Sequence, residues 1–104
     1  MDRTFTENDA ASLVALQNAE NFTIALEENP TTGYRWNLQA SDSDAIKVLG
    51  SDYQPGGGGV GAGGQRTFRL QAARVGDHTV TLELRRSWEA ANAAQSHTFR
   101  LQVR

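Results

Sequence analysis

Hydrophobic and polar residues alternate along much of the chain, and this pattern predicts β-strands. The longest alternating segments are 22–26, 68–72, 79–85 and 98–104. Alternation places the apolar side chains on one face of a strand and the polar side chains on the other, as in an antiparallel sheet with one face packed on a core. Shorter candidate strands lie at 3–6, 13–16, 34–38 and 46–49.

Turn signals separate these segments at 17–21, 40–44 and 76–77. Short strands at this spacing predict an all-β fold, either an immunoglobulin-like antiparallel β-sandwich or a barrel. The segment 9–17 is ambiguous, because Asp9 could cap a short helix within it. We predict a strand at residues 13–16. The length of 104 residues predicts a single domain, residues 1–104.

Composition narrows the classes of function. The net charge is −2, and acidic and basic residues are interspersed. The sequence therefore lacks the clustered basic residues that are typical of a nucleic-acid-binding protein. There is no cysteine, which excludes disulfides, a thiol nucleophile and thiolate metal ligands. The longest apolar run, residues 13–16, is too short for a membrane span or a signal sequence. We therefore expect a soluble monomer without a membrane partner, either cytoplasmic or exported with its signal peptide absent from this chain.

Catalytic and metal sites are weakly supported. Ser87, His97 and Asp77 could be combined into a triad, but no nucleophile-elbow motif accompanies them. Residues 42–44 begin like a calcium loop, yet isoleucine and lysine follow where a ligand and a glycine belong. We predict no enzyme activity, no metal and no cofactor.

The connection after residue 28 is unusually long and stiff. It consists of Asn29, Pro30, Thr31, Thr32, Gly33 and Tyr34. Pro30 fixes its own φ and restricts the preceding residue, the two threonines are stiff at χ1, and Gly33 permits a positive φ. The segment is either an ordinary well-formed turn or a loop that must hold its shape.

A second loop is rich in glycine and contains Gly61, Ala62, Gly63 and Gly64. Residues 59–64 match G-x-G-x-x-G, but a period-two strand follows where a dinucleotide fingerprint requires a helix. We interpret residues 56–59 as slack linker. Residues 61–64 form a nearly bare backbone, which suits close approach by another backbone.

A third loop begins with Arg86, Ser87 and Trp88, where the alternation breaks off. Trp and Arg are frequent binding hot-spot residues, so Arg86 and Trp88 are candidate contacts. The alternative is that Trp88 folds back over the rim of the core.

Together the three loops resemble the chagasin family of inhibitors of papain-like cysteine peptidases. The family motifs are N-P-T-T-G-[YF], G-x-G-G and R-P-[WF], and the first two match fully at residues 29–34 and 61–64. The third matches at Arg86 and Trp88, whereas Ser87 replaces the usual proline. The resemblance implies an immunoglobulin-like sandwich with the three loops at one end. In the family the threonine-rich loop covers the catalytic cysteine, and the other two grip the cleft walls.

We therefore predict a reversible, non-covalent inhibitor whose partner is a papain-like cysteine peptidase. The predicted contacts are residues 29–34 and 61–64 together with Arg86 and Trp88, and the resemblance implies that Thr31 and Thr32 lie nearest the catalytic thiol. Trp36 is predicted to lie in the core. The alternative is an immunoglobulin-like adhesion or ligand-binding module without a peptidase target. A buried Trp88, or loops at different ends of the sandwich, would favour that alternative.

Overall fold

The computed structural model describes residues 3–29, 32–56, 63–86 and 93–104. Within these ranges the chain forms eight β-strands and one short 3-10 helix, Glu7–Ala11. The strands are β1 (Arg3–Phe5), β2 (Leu13–Leu16), β3 (Asn21–Glu28), β4 (Tyr34–Ala40), β5 (Ile46–Pro55), β6 (Gly64–Ala72), β7 (Gly76–Arg86) and β8 (Gln95–Val103). Every predicted strand is present. Strand β5 extends well beyond the predicted 46–49.

The strands form two four-stranded sheets, in the orders β1-β3-β6-β5 and β2-β8-β7-β4. Most neighbours are antiparallel, but β1 pairs with β3, and β2 with β8, in parallel. In the β2–β8 pair, Leu13 lies opposite Arg100 and Leu16 opposite Val103. Neither sheet closes on itself, so the fold is the predicted immunoglobulin-like sandwich and not a barrel.

The apolar faces of the two sheets pack together in one core. The buried side chains of the four longest alternating segments are Phe22, Ile24, Leu26, Phe68, Leu70, Ala72, Val80, Leu82, Phe99, Leu101 and Val103. Full burial of a valine, leucine, isoleucine or phenylalanine side chain contributes about 1.5–3 kcal/mol relative to exposure. The predicted inward faces of these strands are therefore confirmed.

The short helix begins earlier than the sequence predicted. Thr6, not Asp9, occupies the N-cap, and the helix runs through Glu7–Ala11. The main-chain N–H of Thr6 donates to Asp9 Oδ2 at 2.8 Å, and the N–H of Asp9 donates to the Thr6 carbonyl at 2.9 Å. Asp9 thus stabilises the helix start from its third residue. Residues 13–16 form a strand with alternate side chains buried, as predicted.

The described part of the chain contains no helix long and apolar enough to cross a membrane. In the same residues, no group of three His, Asp or Glu side chains is placed to hold a metal ion. The turn that begins like a calcium loop uses its first carboxylate internally. Asp42 Oδ1 accepts the main-chain N–H of Asp44 at 2.9 Å, and Arg74 Nη1 lies 3.4 Å from Asp42 Oδ2.

Candidate functional site

The strand ends that flank the three loops lie at one end of the sandwich. In the first sheet, Glu28 at the end of β3 pairs with Gly64 at the start of β6, and Gly64 also pairs with Pro55. In the second sheet, Tyr34 at the start of β4 pairs with Arg86 at the end of β7. The first loop joins the two sheets at this same end. Loops at different ends, which would favour an adhesion module, are therefore not observed.

The described part of the first loop is held by its own hydrogen bonds. The Asn29 carbonyl accepts both the main-chain N–H of Thr32 at 3.1 Å and the Thr32 hydroxyl at 2.7 Å. The Thr32 hydroxyl oxygen accepts the main-chain N–H of Tyr34 at 3.3 Å. Gly33 has a φ of 80°, the left-handed conformation that the sequence predicted for it. Pro30 and Thr31 lie outside the described residues.

Arg86 links the third loop to the first. Its Nε donates to the Thr32 carbonyl at 3.1 Å, and its guanidinium lies 4.3 Å from the centroid of the Tyr34 ring. A guanidinium over an aromatic face adds electrostatic attraction to the hydrogen bond. The sequence predicts Arg86 as a peptidase-binding residue, and in the structure its guanidinium contacts the first loop. Ser87 and Trp88 lie outside the described residues.

The glycine-rich loop has a paired stem. The main-chain N–H of Gly56 donates to the Gly63 carbonyl at 3.0 Å, so the β5–β6 pairing continues one residue beyond the strands. The interpretation of residues 56–59 as slack linker is therefore wrong for Gly56. The other three residues of that segment, and both Gly61 and Ala62, lie outside the described residues.

Gly63 and Gly64 have different surroundings. A Cβ atom built on Gly64 would lie 2.5 Å from Tyr53 Oη and in collision with the Gln54 carbonyl. A Cβ atom on Gly63 would lie 3.6 Å from the Glu28 carbonyl oxygen, which is ordinary van der Waals contact, and the residue is exposed. The fold itself therefore requires glycine at position 64, but not at position 63.

A buried ion pair that we did not predict lies beneath the first loop. Among the described residues, Glu28 is the charged residue that is buried, and its side chain has no exposed surface. Its Oε1 accepts hydrogen bonds from Arg66 Nε at 3.2 Å and Nη2 at 2.9 Å, and its Oε2 accepts the main-chain N–H of Trp36 at 2.9 Å. Both charges continue the inward-facing alternation of their strands. Two charges on a core face require partners, so the alternation could have marked Glu28 and Arg66 as buried charges, although not as partners of each other.

An open cavity of about 910 Å³ lies at the loop end and is lined by residues of both sheets. Trp36 and His97 are among its lining residues, with ring centroids 5.5 Å apart. The indole N–H of Trp36 donates to the Glu27 carbonyl at 2.8 Å, and only 7% of the residue is exposed. The prediction that Trp36 is a core residue is confirmed.

The imagined catalytic triad is not assembled. In the β7–β8 pair, His97 lies opposite Leu82, whereas Asp77 lies opposite Gln102. The backbone positions of Asp77 and His97 are therefore separated by five residues along β8, about 17 Å at the rise of a strand. This distance excludes a direct hydrogen bond between the two side chains.

Among the described residues, Glu20 has a shifted pKa. This residue precedes β3 and lies away from the loop end of the sandwich. The Arg3 guanidinium, whose Nε is 2.9 Å from Glu20 Oε2, lowers the pKa of this carboxyl below its ordinary value. The main-chain N–H of Gln17 lowers the pKa further by donating to Oε1 at 2.9 Å. Since the pair lies far from the three loops along the strands, we assign it to stability.

Comparison with known proteins connects this architecture to one family. The model of the chagasin family peptidase inhibitor I42 matches residues 15–103. Amoebiasin-1 of Entamoeba histolytica is 29% identical over 102 residues, which cover 96% of each chain. Chagasin of Trypanosoma cruzi is 30% identical over 90 residues, covering 82% of this chain and 80% of that protein. A crystal structure of a cysteine protease inhibitor from Entamoeba histolytica has a TM-score of 0.88 over 99% of this chain and 95% of its own; at 23% identity this likeness concerns the fold.

The family match covers all three loop segments, the six strands β3 to β8 and the last two residues of β2. Its members are peptidase inhibitors, so the prediction of an inhibitor instead of an enzyme is confirmed. The chain belongs to the chagasin family of peptidase inhibitors, and it is an inhibitor of papain-like cysteine peptidases.

Proposed function

We propose that the protein inhibits its peptidase by laying the three loops across the active-site cleft. The observation that carries this proposal is the convergence of the loop bases at one end, with Arg86 bonded to Thr32 across two of the loops. The proposed peptidase-binding residues are Asn29, Pro30, Thr31, Thr32, Gly33, Tyr34, Gly61, Ala62, Gly63, Gly64, Arg86 and Trp88.

Rigidity of the first loop supports this mode of binding. The two bonds to the Asn29 carbonyl and the contact with Arg86 hold Thr32 in one conformation before a partner arrives. Preorganisation lowers the entropy cost of association. By the family resemblance, Thr31 and Thr32 lie nearest the catalytic thiol. The chain contains no cysteine, so it cannot form a mixed disulfide with that thiol. We propose that binding is non-covalent and reversible.

The proposed residues divide into two groups. Thr32 and Gly63 are exposed, which supports direct contact with the peptidase. Gly64 packs closely against its own chain, and Arg86 contacts the first loop. These intramolecular contacts support a role for both residues in holding the loops in place. Trp88 is proposed as a direct contact, because an aromatic side chain can fill a pocket on the cleft wall.

We further propose that residues 1–104 act as one domain and bind one peptidase molecule without a metal or cofactor. An interface of standard size, about 1,600 Å² in total, is consistent with three short loops.

Titration of papain with the purified protein tests the proposal. We expect papain activity on a peptide substrate to fall in proportion to added protein, to reach zero near a 1:1 ratio, and to recover on dilution. Trypsin serves as the control and should be unaffected. Full papain activity in excess protein would refute the proposal, and so would equal inhibition of both peptidases.

A further inference from the structure

The buried Glu28 carboxylate connects three strands at the base of the loops. It lies on β3, accepts two hydrogen bonds from Arg66 on β6, and accepts the main-chain N–H of Trp36 on β4. The first two strands belong to one sheet and the third to the other. The Glu28 side chain, together with the hydrogen bond from the Trp36 indole to the Glu27 carbonyl, thus links the two sheets at this end.

The position of these partners relates the carboxylate to loop geometry. The first loop leaves β3 directly after Glu28 and enters β4 two residues before Trp36. The hydrogen bond between these residues therefore spans the take-off and landing points of the loop. Arg66 lies two residues after Gly64, where the glycine-rich loop ends, so the same carboxylate also holds the base of the second loop.

The bonding capacity of Glu28 leaves little freedom. Its side chain has no exposed surface, and both oxygens are engaged by N–H donors. A glutamine at this position would carry one NH₂ group, which would face either the Arg66 guanidinium or the Trp36 N–H. In both orientations one donor would meet another donor, so a bond across the loop base would be lost.

We propose that Glu28, together with Arg66, is a positioning residue for inhibition. It sets the spacing of the first and second loops without touching the peptidase, because it is buried beneath them. The inference rests on the proposed three-loop function. Loss of the ion pair lowers the fraction of molecules whose loops have the binding conformation, and this fraction scales the apparent affinity.

Association and dissociation kinetics with papain test the role of Glu28. For Glu28→Gln we expect the association rate constant to fall about 10-fold, while the dissociation rate constant changes less than about twofold, as a reduced competent fraction requires. The matched control is Glu27→Gln. Glu27 is the exposed neighbour of Glu28, so its substitution should change neither rate constant more than about twofold. Faster dissociation with unchanged association would indicate direct contact and overturn the proposal.

Variants of Arg66 complete the test. Arg66→Gln should reproduce the effect of Glu28→Gln, and the double variant should be no worse than either single variant, since both remove one interaction. Arg66→Lys keeps the charge but cannot make two parallel bonds, so it should give an intermediate rate. A lower melting temperature with unchanged association per folded molecule would show a purely structural role and refute the inference.

Amide hydrogen exchange gives a readout that needs no peptidase. We expect the main-chain N–H of Thr32, bonded to the Asn29 carbonyl, to exchange at least about 10-fold faster in Glu28→Gln than in the Glu27→Gln control. Equal exchange in the two variants would refute loop positioning. If the parent protein failed to inhibit papain while this difference was present, the three-loop function would fail and the positioning of the loop by Glu28 would stand.

Discussion

A methyl group added at Gly63 tests whether this part of the backbone faces the peptidase. The new Cβ atom would lie 3.6 Å from the Glu28 carbonyl oxygen and 3.7 Å from Asn29 Cβ, and the φ of Gly63 lies outside the left-handed region. Gly63→Ala therefore fits the folded protein. We expect its free energy of unfolding to be unchanged or raised by up to about 1 kcal/mol, because alanine restricts the unfolded chain.

The same methyl group should interfere with binding. If the Gly63 backbone packs closely against the cleft wall, an added carbon overfills a well-packed contact, at a cost of about 1–3 kcal/mol. At about 1.4 kcal/mol per factor of ten, the inhibition constant for papain should rise roughly 5- to 150-fold. The expected result is an inhibitor that is at least as stable as the parent but clearly weaker.

Gly64→Ala is the matched comparison, one residue further along. Its Cβ atom would lie 2.5 Å from Tyr53 Oη and 2.7 Å from Tyr53 Cζ, so the ring must move. We expect a loss of about 1–3 kcal/mol in the free energy of unfolding. Denaturant melts and papain titrations of both variants give the two quantities. The reasoning is refuted if Gly63→Ala inhibits like the parent, or if it destabilises the fold as much as Gly64→Ala.

Two other substitutions distinguish stability from binding. Trp36→Ala should lower the free energy of unfolding by about 3–5 kcal/mol, whereas Trp88→Ala should leave stability within about 1 kcal/mol and weaken papain binding by about 2–4 kcal/mol; early melting of Trp88→Ala with normal inhibition would contradict this. Because the pKa of Glu20 is lowered in the folded state, its pairing with Arg3 stabilises the protein at neutral pH and is lost as the pH falls through the folded-state pKa. Denaturant melts should show Glu20→Gln to be less stable than the parent by under about 1 kcal/mol at pH 7, with no difference in strong acid; a difference independent of pH would exclude the ion pair as its cause.

The features predicted correctly depend on short-range chemistry. Side chains alternate between faces in any strand, so the buried positions of β3, β6, β7 and β8 follow from the pattern alone. The positive φ of Gly33 follows from the need to turn the chain within a short connection, since glycine lacks the Cβ atom that opposes this conformation. The three motifs indicated the family for the same reason, because each is contiguous in the sequence.

The features that were missed depend on which strands become neighbours. Glu28 and Arg66 meet because β3 and β6 pair with Leu26 opposite Arg66, and periodicity contains no information on register. Arg86 reaches the Thr32 carbonyl because the start of β4 pairs with the end of β7. Alternation is also identical in parallel and antiparallel strands, so the direction of β1 and β2 could not be predicted.

The pairing of β2 with β8 has a consequence for how the protein folds. Leu13 on β2 pairs with Arg100 on β8, so the second sheet joins segments from distant parts of the sequence. The loop-closure entropy of such contacts must be overcome before they contribute energy, and sandwiches of this kind fold in about milliseconds to seconds. During synthesis, β7 has only β4 beside it until the segment through Val103 emerges. A nascent chain without β8 therefore leaves one edge of β7 unpaired and leaves β2 with no strand beside it, so the second sheet is complete only after this last strand emerges.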